Sequence, residues 1–153
     1  MSTTVGTSCY TVGVFKDAEW AARGLEALRR HGFAAERLSL VSGASPEAAA
    51  CIKGALGREA EACEVARLGA ALAAGSLVAA LDGARGDLAR LGLAGTMRHA
   101  GFQAHDGQIF ETLTARGGLL VAVESESRAA DALAVLHAYG AGNAAIGAWT
   151  GRV

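Results

Sequence analysis

Residues 10–42 read YTVGVFKDAEWAARGLEALRRHGFAAERLSLVS, and residues 119–150 read LLVAVESESRAADALAVLHAYGAGNAAIGAWT. Each stretch contains an alternating apolar run, a helical run that ends at a glycine (Gly32 or Gly140), and a second short apolar run. A period of two is typical of a strand, and apolar residues three or four apart are typical of a helix that packs on a sheet. The sequence therefore predicts the unit strand–helix–strand twice.

The first copy carries local signals for the beginning and the end of its helix. Asp17 is a favourable N-cap residue. Gly32 suits the left-handed position that follows a helix. Between them, Ala21, Leu25 and Leu28 recur on one helical face. We expect this face to pack on the predicted sheet.

Two such units most economically form an α+β fold, the ferredoxin-like split βαβ, with a four-stranded antiparallel sheet and two helices on one face. A doubly wound parallel sheet is the alternative, but it needs more strands, and none is predicted in the middle of the chain. We predict a single domain over residues 1–153. Its first βαβ half spans 8–42, a long helical insert spans 43–117, and the second half spans 118–150.

The insert begins with a strong helix start and continues into a run of small residues. Ser45, Pro46 and Glu47 provide an N-cap, a proline in the first helical position and an acid in the first turn. The pattern predicts that a helix extends over Glu59–Leu81, where alanine and glycine would allow close packing. Asp106 is predicted to be the N-cap of a later helix. The insert would either pack on the free face of the sheet or project to pair with another subunit.

Composition excludes several classes of partner. The formal net charge of −1 does not favour nucleic acid or an anionic membrane surface. The longest uncharged stretch, Leu68–Leu81, has 14 residues, whereas a membrane-spanning helix needs about 20. We therefore expect no stable membrane insertion. Alanine and glycine make up roughly a third of the chain, which suggests a thin core and a homo-oligomer, a dimer or larger.

The three cysteines, Cys9, Cys51 and Cys63, fit no metal-binding or redox spacing. Free thiols in a reducing compartment are the best interpretation. The N-terminal residues lack the basic region of a signal peptide. Together these features predict a cytoplasmic protein.

A small cluster of polar residues in the insert is the best candidate for a ligand site. It consists of Arg98, His99, His105 and Asp106. Imidazole and carboxylate groups can bind a divalent ion. However, the two histidines are separated by five residues rather than by one helical turn, and no cysteine is adjacent. We predict no metal, no cofactor and no catalytic group here, and keep the four residues as a candidate ligand-binding site.

The opening VGVFKDAEWAARGLEALRRHGF, followed by ERLSLVSG, resembles the start of the bacterial general-stress protein family, the heat-induced stress protein (YflT-type) domain. The glycine- and alanine-rich centre and the later segment IFETLTARGGLLVAVES are similar to that family too. The resemblance implies a stress-associated bacterial protein without defined catalytic residues.

The resulting hypothesis is a non-enzymatic protein that acts through oligomerisation or protein interaction. The alternative is a small-ligand or metal-binding regulatory module, whose pocket would lie between the sheet and the helical insert. An enzyme is the third possibility, and His99, His105 and Asp106 would then be the first residues to test.

Overall fold

The computed structural model describes residues 8–75, 87–99, 102–125, 128–142 and 144–149. The fold is mixed α+β with an antiparallel sheet. The strands are β1 (Ser8–Phe15), β2 (Leu38–Gly43), β3 (Glu61–Val65), β4 (Gly69–Ala74), β5 (Leu119–Glu124) and β6 (Ala145–Trp149). The helices are α1 (Ala18–Arg30), α2 (Pro46–Cys51, extended by a π-helical turn at Ile52–Leu56), α3 (Asp87–His99), α4 (Ala104–Ala115) and α5 (Ala129–Ala138).

Within these ranges the sheet has six strands in the order β3-β4-β2-β5-β1-β6. Every neighbouring pair is antiparallel, so the parallel alternative is wrong. β1 lies between β5 and β6, with Phe15 opposite Leu119 and Thr11 opposite Ile146. The predicted number of four strands is also wrong, because β3 and β4 extend the sheet beyond β2.

The hairpin of β3 and β4 lies where a helix was expected. The predicted helix over Glu59–Leu81 is therefore wrong from residue 59 to residue 75, and residues 76–81 lie outside the described part of the chain. The turn between the strands uses positive φ angles, 68° at Arg67 and 81° at Gly69. The segment 43–117 thus contains a β-hairpin that helices precede and follow along the chain, and it is not a purely helical insert.

The alanine content of β4 explains why the hydrophobic pattern predicted a helix there. Ala71 and Ala73 belong to the core on one face of the sheet, whereas Leu72 and Ala74 pack on the other face. This is the period of two that defines a strand. In a run of small apolar residues, a period of two and a period of 3.6 are satisfied equally well, so the sequence does not distinguish them.

Apolar side chains cover both faces of the sheet. α1, α2 and α5 pack on one face, and their fully buried contributors include Ala21, Leu25, Leu28, Ile52, Ala132 and Leu136. α3 and α4 pack on the opposite face and contribute Leu88, Leu93, Met97 and Phe110. The later helices of the insert therefore cover the face that the two βαβ units leave free, the first of the two arrangements expected from the sequence.

The local helix signals are confirmed. The Asp17 carboxylate accepts a hydrogen bond from the Trp20 N–H at 2.9 Å, and Ser45 caps α2 in the same way at 3.0 Å. Gly32 and Gly140, which follow α1 and α5, have φ angles of 95° and 104°. A side chain is strained in this conformation, whereas glycine adopts it freely.

Two side-chain contacts hold α5 against the end of α1. Nη2 of Arg128 donates to the carbonyl oxygen of His31 at 2.7 Å, and its guanidinium lies 4.4 Å from the centre of the Phe33 ring. Further along, Nη2 of Arg30 donates to the Tyr139 hydroxyl at 3.3 Å. These contacts set the distance between the two helices that border the cleft described below.

Candidate functional site

The four residues predicted as a ligand site lie at the end of α3 and the start of α4. Arg98 is exposed near the end of α3. His99 is the last residue of that helix, and its side chain lies outside the described part of the structure. His105 is exposed and Asp106 is half-buried, both in the first turn of α4.

Asp106 is not the N-cap of α4, so that prediction is wrong. The helix begins at Ala104, and Gln103 occupies the N-cap position without a side-chain hydrogen bond. The start therefore carries no capping residue that the sequence could reveal. At the third position of the helix, the Asp106 carboxylate is favourably placed toward the positive end of the helix dipole.

Of the described side chains in this set, one lines a groove on α4. His105 lines a groove of about 300 Å³ on a partly exposed face of α4, together with Gln108, Ile109, Thr112 and Leu113. Neither Arg98 nor Asp106 lines this groove. Among the described residues, no group of three or more histidine, cysteine, aspartate or glutamate side chains is placed to hold a metal ion. A site built from the four residues stays a prediction.

The space between the sheet and the helices α3 and α4 is filled by core side chains. These include Val12, Leu93, Met97, Phe110 and Leu120, each at most 1% exposed. Interiors packed in this way have few voids larger than a water molecule. Among the described residues these side chains fill the centre of the interface, and the pocket expected between the sheet and the insert stays a prediction.

A cleft lies instead at the end of β1. It consists of two adjoining cavities that share Lys16 and Gly140. The first, of about 190 Å³, is also lined by Val14, Phe15, Leu113, Arg116 and Gly118. The second, of about 280 Å³, is also lined by Trp20, His137, Ala138 and Tyr139. We call this pair of cavities the Lys16 cleft.

The connection between β1 and α1 places Lys16 and Trp20. The strand ends at Phe15 and the helix begins at Ala18, so Lys16 lies in a connection of two residues. The second residue of this connection, Asp17, caps the helix through the Trp20 N–H. A short, capped connection gives the lysine and the tryptophan a defined spacing at the mouth of the cleft.

The end of α5 forms the opposite wall. Gly140 ends the helix at a φ of 104°, and the N–H of the next residue, Ala141, donates to the Leu136 carbonyl oxygen at 2.9 Å. The same carbonyl oxygen also accepts from the Tyr139 N–H at 3.3 Å, so both bonds close the end of the helix. His137 and Tyr139, in the last turn before the glycine, therefore face the cleft from a well-defined helix end.

Arg116 reaches the cleft because Gly118 lets two backbones approach closely. A Cβ atom on Gly118 would lie 2.5 Å from Cγ1 of Val14 and 2.8 Å from the carbonyl oxygen of Leu113. Only a residue without a side chain fits between the end of α4 and β1. The turn that carries Arg116 is thereby brought to the same end of the sheet as Lys16.

The cleft combines cations with an aromatic wall. Within the described ranges, no carboxylate lies at ion-pair distance from Lys16 or Arg116. The guanidinium of Arg23, held by Glu19 at 2.9 Å, lies 5.1 Å from the centre of the Trp20 ring. Nζ of Lys16 lies 6.0 Å from the same ring. Binding pockets typically combine apolar and aromatic walls with a few polar groups in this way.

The sequence analysis missed these residues, although a signal for their proximity was present. If β1 and β5 pair in an antiparallel sheet, the residue after β1 and the residues before β5 lie at the same sheet end. The observed pairing of Phe15 with Leu119 accordingly places Lys16 and Arg116 at the same end of the sheet. Trp20 and Tyr139 could not be found in this way, because their approach depends on how the helices pack.

Comparison of the chain with protein-family models, with curated proteins and with solved structures gave no match. The resemblance to the general-stress proteins, the stress-associated role and the homo-oligomer stay predictions. In the part of the chain that the structure describes, no helix is both long enough and apolar enough to cross a membrane.

A separate cavity of about 280 Å³ lies between α1 and α2 and is bordered by Cys51, Glu26 and Arg29. Cys51 is a free cysteine and 7% exposed, and burial raises the pKa of its thiol above the ordinary value of 9.0. The thiol is the form that resists reaction, because the thiolate is the nucleophile. We therefore interpret Cys51 as a core residue.

Ionisation of the Cys51 thiol should lower the free energy of unfolding at alkaline pH. Because its pKa is higher in the folded than in the unfolded chain, its contribution is present below about pH 9 and is lost as the pH rises further. Urea unfolding of the wild type and of Cys51→Ala should show a difference in free energy of unfolding that shrinks above pH 9, by at most about 1.4 kcal/mol per pH unit. An equal difference at about pH 7 and pH 10 would contradict the assignment.

Proposed function

We propose that this protein is a non-enzymatic module that binds a small ligand in the Lys16 cleft. The observation that carries the proposal is that two adjoining cavities share one lysine without a carboxylate partner among the described residues, beside a second such cation, Arg116. Both side chains are exposed to solvent, so a molecule that enters the cavities can pair with them through an anionic group. A bound ligand supplies that group.

The lining supports binding rather than covalent catalysis. Among the described residues that line the two cavities there is no serine, threonine, cysteine or carboxylate. Lys16, His137 and Tyr139 are groups that can act as nucleophile or base, but no hydrogen bond joins any two of these described side chains. The groups that this cleft offers are cations, rings and aliphatic side chains, which hold and orient a molecule.

We further propose that the core of the fold is the ferredoxin-like split βαβ. In that arrangement, two βαβ units interleave, so that a strand of one unit separates the two strands of the other. The support is the order β2-β5-β1-β6 within the larger sheet, in which β5 separates β1 from β2 and β1 separates β5 from β6. The hairpin β3–β4 would then be an addition at the edge of β2.

A thermal-shift screen with small molecules tests the binding proposal. The panel contains nucleotides, amino acids, aromatic and aliphatic acids, and neutral compounds. At roughly 100 times its Kd, a ligand should raise the Tm by about 5 °C or more. The shift should be lost in Lys16→Ala, which removes the shared cation.

Lys53→Ala is the matched control, because Lys53 is an exposed lysine outside the cleft and pairs with Glu59 at 3.4 Å. Exposed ion pairs of this kind contribute little to stability. The control should retain the full ligand-induced shift. If no compound raises the Tm of the wild type, or if the shift is equal in Lys16→Ala, the proposal is wrong.

A further inference from the structure

We infer that the ligand of the Lys16 cleft is an aromatic acid, with its ring in the cavity beside Trp20 and Tyr139 and its anionic group between Lys16 and Arg116. The inference rests on the proposed function and specifies the class of ligand. Its basis is the division of the cleft into an aromatic cavity and a cationic cavity that meet at Lys16.

The aromatic cavity has walls held in position before any ligand binds. The Trp20 ring is half-buried and contacts the Arg23 guanidinium at 5.1 Å, while Arg23 is itself held by Glu19. On the other side, the Tyr139 hydroxyl accepts a hydrogen bond from Arg30. Rings held in this way offer a flat apolar surface at little cost in side-chain entropy.

The cationic cavity adjoins this surface. Lys16 lines both cavities, and Arg116 lines the smaller one, which also has apolar walls from Val14 and Leu113. Arginine binds carboxylate and phosphate oxygens through two parallel hydrogen bonds, and lysine adds a point charge. A carboxylate or phosphate attached to a ring therefore meets both requirements of the cleft in a single small molecule.

The dimensions and charges disfavour other classes. The two cavities, of about 280 and 190 Å³, together lie toward the lower end of the roughly 300–1,000 Å³ of ligand pockets, which suits one compact molecule that spans both. A metal ion would meet two cations and, among the lining residues that the structure describes, no carboxylate. A neutral aliphatic molecule would leave both cations without a counter-charge.

Isothermal titration calorimetry with matched probes tests the inference. The probes are 2-naphthoate, 2-naphthyl phosphate, the neutral 2-naphthamide and the saturated decahydro-2-naphthoate. We expect one or both aromatic anions to bind at least tenfold more tightly than the amide and the saturated acid. The two anions distinguish a carboxylate ligand from a phosphate ligand.

Three variants locate the binding. Lys16→Met keeps the aliphatic stem but removes the charge, and it should weaken binding of the aromatic anion about tenfold while leaving the amide unaffected. Trp20→Ala should weaken the binding of the aromatic anion and of the aromatic amide to the same extent. Lys53 is an exposed lysine outside the cleft, so Lys53→Met should bind all four probes as the wild type does. Circular dichroism checks that each variant is folded.

The results separate this inference from the proposal on which it rests. If the amide or the saturated acid binds as tightly as 2-naphthoate and Lys16→Met weakens it, the cleft is a ligand site and the aromatic-acid inference is overturned. If neither aromatic anion binds but another compound of the thermal-shift panel does so through Lys16, the inference fails and the proposed function stands. If no compound of any class binds, both are wrong.

Discussion

Replacing Gly92 by alanine is expected to lower the free energy of unfolding by about 3 kcal/mol or more. Gly92 lies inside α3 at φ 76° and ψ −178°, a conformation available almost only to glycine, and it divides the helix into two segments. An added Cβ would lie 2.7 Å from Oε2 of Glu111 and 2.9 Å from the carbonyl oxygen of Ala66. The substitution therefore combines backbone strain with a steric conflict.

The contact with Glu111 adds to the expected loss of stability, because this carboxylate is buried and already holds a hydrogen bond and an ion pair. Its side chain is 8% exposed, and Oε2 accepts the Ala94 N–H at 3.2 Å and lies 3.8 Å from Nη1 of Arg67. Displacing it would leave the N–H of Ala94, at the start of the second segment of α3, without its acceptor. An unsatisfied buried group of this kind costs roughly 1–3 kcal/mol.

Urea unfolding followed by circular dichroism measures the effect of Gly92→Ala. Gly54→Ala is the matched control, because nothing lies within 4 Å of the position of its added Cβ and its φ is not positive. We expect the control to stay within about 0.5 kcal/mol of the wild type. An equally small change in Gly92→Ala would show that the bend in α3 does not depend on glycine.

Gly24→Ala is expected to destabilise the protein by about 2 kcal/mol, although alanine is the better helix former by about 1 kcal/mol. A Cβ on Gly24 would lie 2.4 Å from Cζ of Phe15. Phe15 is fully buried, so its ring has little room to move away from α1. The conflict between the helix and the sheet should therefore outweigh the gain in helix propensity.

A double-mutant cycle with Phe15→Leu isolates this conflict. The smaller leucine removes the ring atoms that Gly24→Ala would meet, so the double variant should be more stable than the sum of the two single effects predicts. We expect a coupling free energy of at least about 1 kcal/mol from urea unfolding of the four proteins. Additive effects would mean that the ring is not what requires glycine in α1.

The parts of the fold that were predicted from the sequence depend on local interactions. Asp17 and Ser45 cap helices through the backbone N–H groups that follow them in the chain. Gly32 and Gly140 adopt positive φ because of the helix ends that they follow. Such signals involve residues within one helical turn, and the pattern of residue types reveals them.

The hairpin and the bend in α3 were not predictable in the same way. The alanine-rich strand β4 has no pattern that separates a strand from a helix, and it is a strand because β2 and β3 pair with it. At Gly92 a helix end is the natural prediction, and helical dihedral angles are interrupted there; what the sequence does not show is that a second segment follows at once, next to the contacts of Glu111 and Arg67. In both places tertiary contacts outweigh weak local preference.

By itself, the sequence determined the two strand–helix–strand units, their helix ends and the alternating strands that form the centre of the sheet. Only the tertiary structure decided the six-strand order, the covering of the second face and the site. Of the candidate residues from Arg98 to Asp106, His105 lines a groove on α4 that neither Arg98 nor Asp106 lines, and the four-residue site stays a prediction. The Lys16 cleft instead joins residues 16, 20, 116, 137 and 139. Antiparallel pairing of β1 with β5 brings Lys16 to the sheet end of Arg116. The approach of Trp20 and Tyr139 depends on how the helices pack, and helix packing is set by contacts between residues distant in the chain, which the local pattern of residue types does not show.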